Sequence, residues 1–158
     1  MSGPVRVLMV CTGNICRSPT AEGVLRRMAE QAGLAHRIEV DSAGTTGYHV
    51  GEPPDRRSQM HAARRGYDLS AQRARQVQEA DFDTFGWLIA MDRGHLAELQ
   101  ADAPPHRRDR IHLLMDFAND PRDGEVPDPY YGGALGFDEV LDRVEAGCRG
   151  LLKLLANT

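Results

Sequence analysis

The run Val5-Arg-Val-Leu-Met-Val10 constrains this chain most: a short, β-branched apolar stretch that gives way at once to a glycine-containing loop and then to Ser18-Pro19. Beyond Pro19, Ala21, Val24, Leu25, Met28 and Ala32 recur at helical spacing. The order is therefore strand, loop, helix, with Cys11 opening the loop and Arg17 closing it. Proline suits the first position of a helix and disfavours helical geometry in the residue before it, so Ser18 is expected as the N-cap.

Further apolar runs at Ile38-Glu-Val40, Trp87-Leu-Ile-Ala-Met91 and Ile111-His-Leu-Leu-Met115 read as strands, with helical stretches near 55–65 and 93–101. This alternation predicts an α/β fold, a doubly wound parallel sheet with helices on both faces and the loop after its first strand. Phe137, Val140, Leu141, Val144, Cys148, Leu151, Leu152 and Leu155 share one helical stripe, which places Cys148 in the core. Between the last strand and that helix lies a long loop, 116–136, rich in Asp, Pro and Gly. Such loops in compact domains are often functional.

With 158 residues and 41% apolar content the chain is expected to form one domain, 1–158, with a core that needs no metal or disulfide. No apolar run reaches the ~20 residues of a spanning helix, and the first ten residues lack the pattern of a secretory signal. A cytoplasmic protein without membrane insertion is expected. Cys11, Cys16 and Cys148 are an odd number in a mid-sized chain, which favours reduced thiols over a disulfide framework. The net charge of −4 gives no general attraction to nucleic acid or anionic lipid, so an anionic ligand must be met by a local field. The arginines between Arg56 and Arg75 read as a solvated face.

Val10-Cys11-Thr12-Gly13-Asn14-Ile15-Cys16-Arg17-Ser18-Pro19 carries the chemistry. In open α/β sheets ligands bind at the carboxyl ends of strands, and a loop curling into a helix turns backbone N–H groups inward as an anion cradle. A tetrahedral phosphate fits it. Gly13 tolerates unusual backbone angles and Asn14 tolerates the left-handed region, both suited to a tight ring of amides. The helix N-terminus, the inward N–H groups and the Arg17 charge all favour the thiolate of Cys11, making it a nucleophile. Arg17 is suited to grip two phosphate oxygens with its planar fork. The Ser18 hydroxyl is placed to ease departure of the thiolate. The spacing of Cys11 and Arg17 alone recurs by accident; the strand–loop–helix context and the Gly-Asn pair separate this loop from such cases. A Gly-Lys-Ser/Thr phosphate loop is absent, which disfavours nucleoside triphosphate hydrolysis.

Cys11-Thr-Gly-Asn-Ile-Cys-Arg-Ser-Pro19, taken with Asp128-Pro-Tyr-Tyr131, resembles the low-molecular-weight protein tyrosine phosphatase family. Asp41-Ser-Ala-Gly-Thr45, Gly47-Tyr-His-Val-Gly-Glu-Pro-Pro54 and Ala74-Arg-Gln76 extend the likeness over most of the chain. The resemblance implies a four-stranded parallel sheet and metal-free hydrolysis of phosphotyrosyl proteins without a cofactor. It implies Cys11 as nucleophile, Arg17 as phosphate ligand and Asp128 as general acid and then base. A carboxylic acid on a loop can indeed supply the proton that a phenolate leaving group needs. Residues Thr12, Gly13, Asn14, Ile15, Cys16 and Ser18 would surround the phosphate. His49 (or Tyr48), Tyr130 and Tyr131 would wall a slot for a flat phenyl ring. Cys16 would either pack the loop or protect Cys11 from overoxidation through a disulfide.

One position departs from the family. Gln72 stands where members often carry a histidine that supports the strained Asn14, while Ser42 keeps its usual context. His61, His95, His106 and His112 lack metal-ligand spacing and are expected to be surface or internally satisfied. Three other functions compete. Related arginine phosphatases resemble this loop with Thr where Ile15 stands. An arsenate reductase would need further downstream cysteines, and only Cys148 exists. A binding module without turnover would require neither the thiol nor the acid.

Overall fold

Burial along β1 (Val5–Cys11) explains the architecture: residues 7–11 are buried throughout, as in a strand covered on both faces. In the computed structural model, which describes residues 3–118, 124–130 and 133–157, β1 lies inside a parallel sheet. Its partners are β2 (Ile38–Gly44) and β3 (Trp87–Ala90), and β4 (Ile111–Leu113) pairs with β3 in the order β2-β1-β3-β4. The helices are α1 (Arg17–Gln31), α2 (Arg56–Arg64), a short α3 (Asp81–Thr84), α4 (Arg93–Asp102) and α5 (Ala134–Leu155).

Alternation along β1 divides the core in two. Val7 and Met9 face one layer, with Val24 and Leu25 of α1 and Val144, Cys148 and Leu151 of α5. Leu8 and Val10 face the other, with Phe82, Phe85, Leu99 and Ile111. Period-two side-chain alternation thus places helices on both faces of four strands, as expected. Cys148 is fully buried in the first layer. On that side α5 approaches the 3₁₀ turn Leu114–Phe117 so closely that a Cβ at Gly150 would overlap the Phe117 carbonyl.

Three local expectations change. β2 runs on through Asp41, Ser42 and Gly44, poor strand formers that pairing with β1 nevertheless holds extended. The run 111–115 is strand only to Leu113, then tightens into the 3₁₀ turn. Helix α1 starts at Arg17 with Cys16 as N-cap, two residues earlier than the proline suggested. First-turn N–H groups have no intrahelical acceptor in any case, so Pro19 is tolerated inside the first turn. The Ser18 hydroxyl is used elsewhere.

From β1 the chain moves outward to β2, then crosses back to β3 on the opposite side of β1. A crevice opens where the winding reverses, at the carboxyl ends of β1 and β3. The loop after β1 and the residues after β3 meet there.

Candidate active site

The loop from Cys11 to Arg17 is braced from outside by backbone hydrogen bonds. Thr45 N–H donates to the Cys11 carbonyl (2.9 Å), Thr46 N–H to that of Thr12 (3.0 Å), and Asp55 N–H to that of Ile15 (2.8 Å). These bonds turn carbonyls outward and leave the inner side to N–H groups, the arrangement an anion cradle needs. Gly44 makes the approach possible, because a Cβ there would stand 2.6 Å from the Thr12 carbonyl oxygen. Gly13 serves differently from the expectation: its φ is not in the left-handed region, and what it provides is space, since a Cβ would meet His49 Cδ2 at 2.8 Å.

Asn14 carries the strain instead, with φ 58°. A non-glycine residue in that region costs on the order of 1 kcal/mol. Three hydrogen bonds oppose this: Nδ2 donates to Ser18 Oγ and Ser42 Oγ (2.9 Å each), and Oδ1 accepts the Arg75 N–H (3.0 Å). At about 1 kcal/mol net apiece they outweigh the strain. Ser42 in turn donates to Glu22 Oε1 (2.7 Å), whose carboxyl burial raises above its ordinary value. Gln72 stays out of this network. Its Nε2 donates to the Pro19 carbonyl (3.0 Å), and its Oε1 has no hydrogen-bond partner among the described residues. Asn14 is therefore held without residue 72. The buried side chains of Asn14 and Ser18 support the loop from behind rather than lining the cleft.

Ser18 also reaches the thiol: Cys11 Sγ and Ser18 Oγ are 3.0 Å apart. Because Ser18 Oγ already accepts from Asn14, its own hydrogen is directed to Sγ or to the more distant Ala43 carbonyl (3.5 Å). The shorter contact favours the sulfur. Cys16 is buried, and desolvation pushes its thiol up to about 12, so it stays protonated beside Ser58.

Arg17 is only 4% exposed, and its two terminal nitrogens differ. Nη1 is committed to Asp92 Oδ2 (2.8 Å) and the Val126 carbonyl (3.1 Å). Among the described residues Nη2 makes only long contacts, 3.5 Å to Thr12 Oγ1, 3.5 Å to His95 Nε2 and 3.7 Å to Asp128 Oδ2. The sequence assigns neither Asp92 nor His95 a role at this site. Asp92 N-caps α4 by accepting the His95 N–H (2.9 Å), and although burial opposes it, that bond and the Arg17 charge hold its carboxyl below the usual range.

His95, expected to be a surface or internally satisfied residue, is buried against the phosphate loop with Nε2 2.8 Å from Thr12 Oγ1. Arg17 can only donate to Nε2, which places the ring proton on Nδ1, facing Asp92 Oδ1 at 3.1 Å without good hydrogen-bond alignment. Burial, and then the Arg17 charge, lower its pKa to about 4. Between there and the unfolded value near ~6.5 the unfolded chain binds more protons, so stability falls as pH falls through that window. Urea unfolding should show the parent losing about 3 kcal/mol more than His95→Asn between about pH 7 and pH 4. Parallel stability curves would mean that His95 is not held neutral.

A cleft of about 320 Å³ lies over the loop. Cys11, Thr12, Gly13, Ile15, Cys16 and Arg17 form its floor, and Tyr48, His49, Asp128 and Tyr130 its walls. Cys11 and Arg17 of the loop thus share one cavity with Asp128, which lies far along the chain. Tyr48 stands at the rim, almost fully exposed, while His49 is tied to Glu52 (3.0 Å). Tyr131 lies outside the described residues. The arginine run is not merely solvated: Arg65 pairs with Asp142 and Glu145, Arg75 joins Asp41 to Asp81, and Arg57 reaches the Tyr130 carbonyl. Of the other histidines, His61 is buried against Asp138, His112 packs at a tilt against the Trp87 ring and His106 is exposed.

A family model for the low molecular weight phosphotyrosine protein phosphatases matches residues 6–158. A low molecular weight protein-tyrosine-phosphatase of Streptomyces coelicolor is 49% identical over 152 residues, 93% of this chain and 91% of its own length. Among solved structures, a protein tyrosine phosphatase from Entamoeba histolytica with Hepes in its active site superposes with a TM-score of 0.94 at 38% identity, covering 97% of each chain. A Drosophila arginine phosphatase superposes with a TM-score of 0.87 at 32% identity, covering 94% of this chain and 96% of its own.

Proposed function

Because the chain belongs to the low molecular weight phosphotyrosine protein phosphatase family, we propose that residues 1–158 act as one catalytic domain that hydrolyses phosphotyrosyl proteins through a phosphocysteine. The observation that carries this reading is the convergence of Cys11, Arg17 and Asp128 in one cleft with apolar Ile15 and the Tyr48 and Tyr130 rings. Phosphate sits in the loop with its oxygens on the inner N–H groups and on Arg17 Nη2, whose long contacts are readily exchanged while Nη1 stays fixed to Asp92. The Cys11 thiolate attacks phosphorus, the P–O bond to the phenol breaks, and Asp128 gives its proton to the departing oxygen. Water then attacks the phosphocysteine, Asp128 takes a proton from it, and the P–S bond breaks with the Ser18 hydroxyl bonded to the sulfur that leaves. Cys11, Arg17 and Asp128 act from the cleft itself and Ser18 from behind the loop, and the steps call on no cofactor.

Both substrate classes are compatible with the fold, and the cleft separates them. Phosphoarginine presents a planar cation on a long stem, whereas Ile15 and the tyrosine rings suit a flat, neutral phenyl group. Arsenate reduction is disfavoured, because Cys148 is sealed in the core and cannot resolve an adduct on Cys11. Three free thiols suit a reducing cytoplasm, and among the described residues no helix is long and apolar enough to cross a membrane. Steady-state hydrolysis of matched phosphotyrosyl and phosphoarginyl peptides, with arsenate reduction as a control, tests the reading. The expected result is kcat/KM at least about tenfold higher for phosphotyrosine, the scale on which pocket shape discriminates. Preference for phosphoarginine would overturn it.

A further inference from the structure

Asp128 is half exposed on its loop, yet the loop is pinned on both sides of it. On the near side, Val126 N–H donates to the Met91 carbonyl (2.8 Å) and the Val126 carbonyl accepts from Arg17 Nη1. On the far side Arg57 Nη2 donates to the Tyr130 carbonyl at 2.9 Å. We propose that Arg57 is a positioning residue that sets the Asp128 carboxyl over the phosphate loop.

A continuous series of contacts supports this. Asp55 takes its register from the phosphate loop through its N–H bond to the Ile15 carbonyl (2.8 Å), and it caps α2 by accepting the Arg57 and Ser58 N–H groups. Its carboxylate then holds the Arg57 side chain from Oδ1 to Nε (3.2 Å) and from Oδ2 to Nη2 (3.1 Å). The guanidinium lies 4.7 Å over the Phe137 ring and 5.7 Å over the Tyr130 ring, which fixes its plane. From there Nη2 reaches the Tyr130 carbonyl, and the Tyr130 N–H donates to Asp128 Oδ1 (3.0 Å). With Oδ1 occupied, Oδ2 is the oxygen turned to Arg17 Nη2 and the one free to carry the transferable proton.

Direct recognition of substrate by Arg57 fits less well. Its charge is already matched by Asp55, both Nη2 hydrogens are committed, and the side chain does not line the cleft. The inference rests on Asp128 being the acid, and its test must separate the two claims. The diagnostic is the dependence of kcat/KM on the acidity of the leaving phenol, because an enzyme whose acid is misplaced depends on it more steeply.

A series of aryl phosphates would be measured with the parent, Arg57→Ala, Arg57→Met, Arg57→Lys, Asp128→Asn and the Arg57→Met/Asp128→Asn double variant. Arg57→Met keeps the apolar stem on Phe137, so it carries the test where Arg57→Ala fails to fold. Expected is a loss of roughly tenfold on a tyrosine-like phenol but under about threefold on a nitrophenol-like one, with partial rescue by lysine. In the Asp128→Asn background the Arg57→Met effect should vanish, since both changes remove the same function. A slope unchanged in Arg57→Met, or an equal loss across the series carried by KM, overturns the positioning role while leaving Asp128 as the acid. A slope unchanged in Asp128→Asn itself overturns the acid assignment and this inference with it.

Discussion

Cys11→Ser is expected to abolish turnover of phosphotyrosyl peptides while binding phosphate and vanadate within a few-fold of the parent. The alcohol is a far weaker nucleophile than the thiolate at neutral pH. The groups that hold the anion are unaffected: the loop is braced through the Cys11, Thr12 and Ile15 carbonyls, and Arg17 is fixed by Asp92 and Val126. Rate and affinity should therefore separate, which a merely unfolded variant would not show. Residual turnover above a few per cent of the parent would contradict the thiolate mechanism. Loss of anion binding in parallel would mean that Cys11 shapes the loop rather than attacking phosphorus.

Asp128→Asn should lower kcat/KM on phosphotyrosyl peptides by roughly two powers of ten, the scale of lost general acid catalysis. The amide keeps the size and the Tyr130 N–H contact to the side-chain oxygen but has no proton to give. A phenol acidic enough to leave unprotonated should suffer far less. If both substrates slowed equally, Asp128 would be acting on the loop's structure.

How much of this was legible differs by residue for physical reasons. The apolar run of β1, the spacing of Cys11 and Arg17 and the stripe on α5 are local patterns, and each lies where the sequence placed it. Asp128 was found through its resemblance to a motif, since an Asp before Pro is otherwise an ordinary turn residue. Asp92, His95 and Glu22 were missed. Asp92 reads as a helix cap, which it also is; nothing adjacent marks it as the partner of Arg17, brought close only because β3 lies beside β1. A usable signal existed, since the rule that ligands bind at strand carboxyl ends applies to Met91-Asp92 as it does to Cys11. Glu22 looks like any helical glutamate until β2 covers it. The early start of α1 escaped because it is set by the loop's tertiary bracing and not by the local preference around Pro19. Short α3 has too few residues for a helical period to show.

The account stands or falls on a phosphoryl group passing through Cys11, and trapping it is the most direct measurement. The parent enzyme would be mixed with a radiolabelled phosphotyrosyl peptide, denatured rapidly at alkaline pH where a thiophosphate survives, digested and mapped. The account predicts label on the peptide bearing Cys11, formed within one turnover, and none in Cys11→Ser. Label on a histidine such as His49, or full turnover with no labelled enzyme at all, would contradict it.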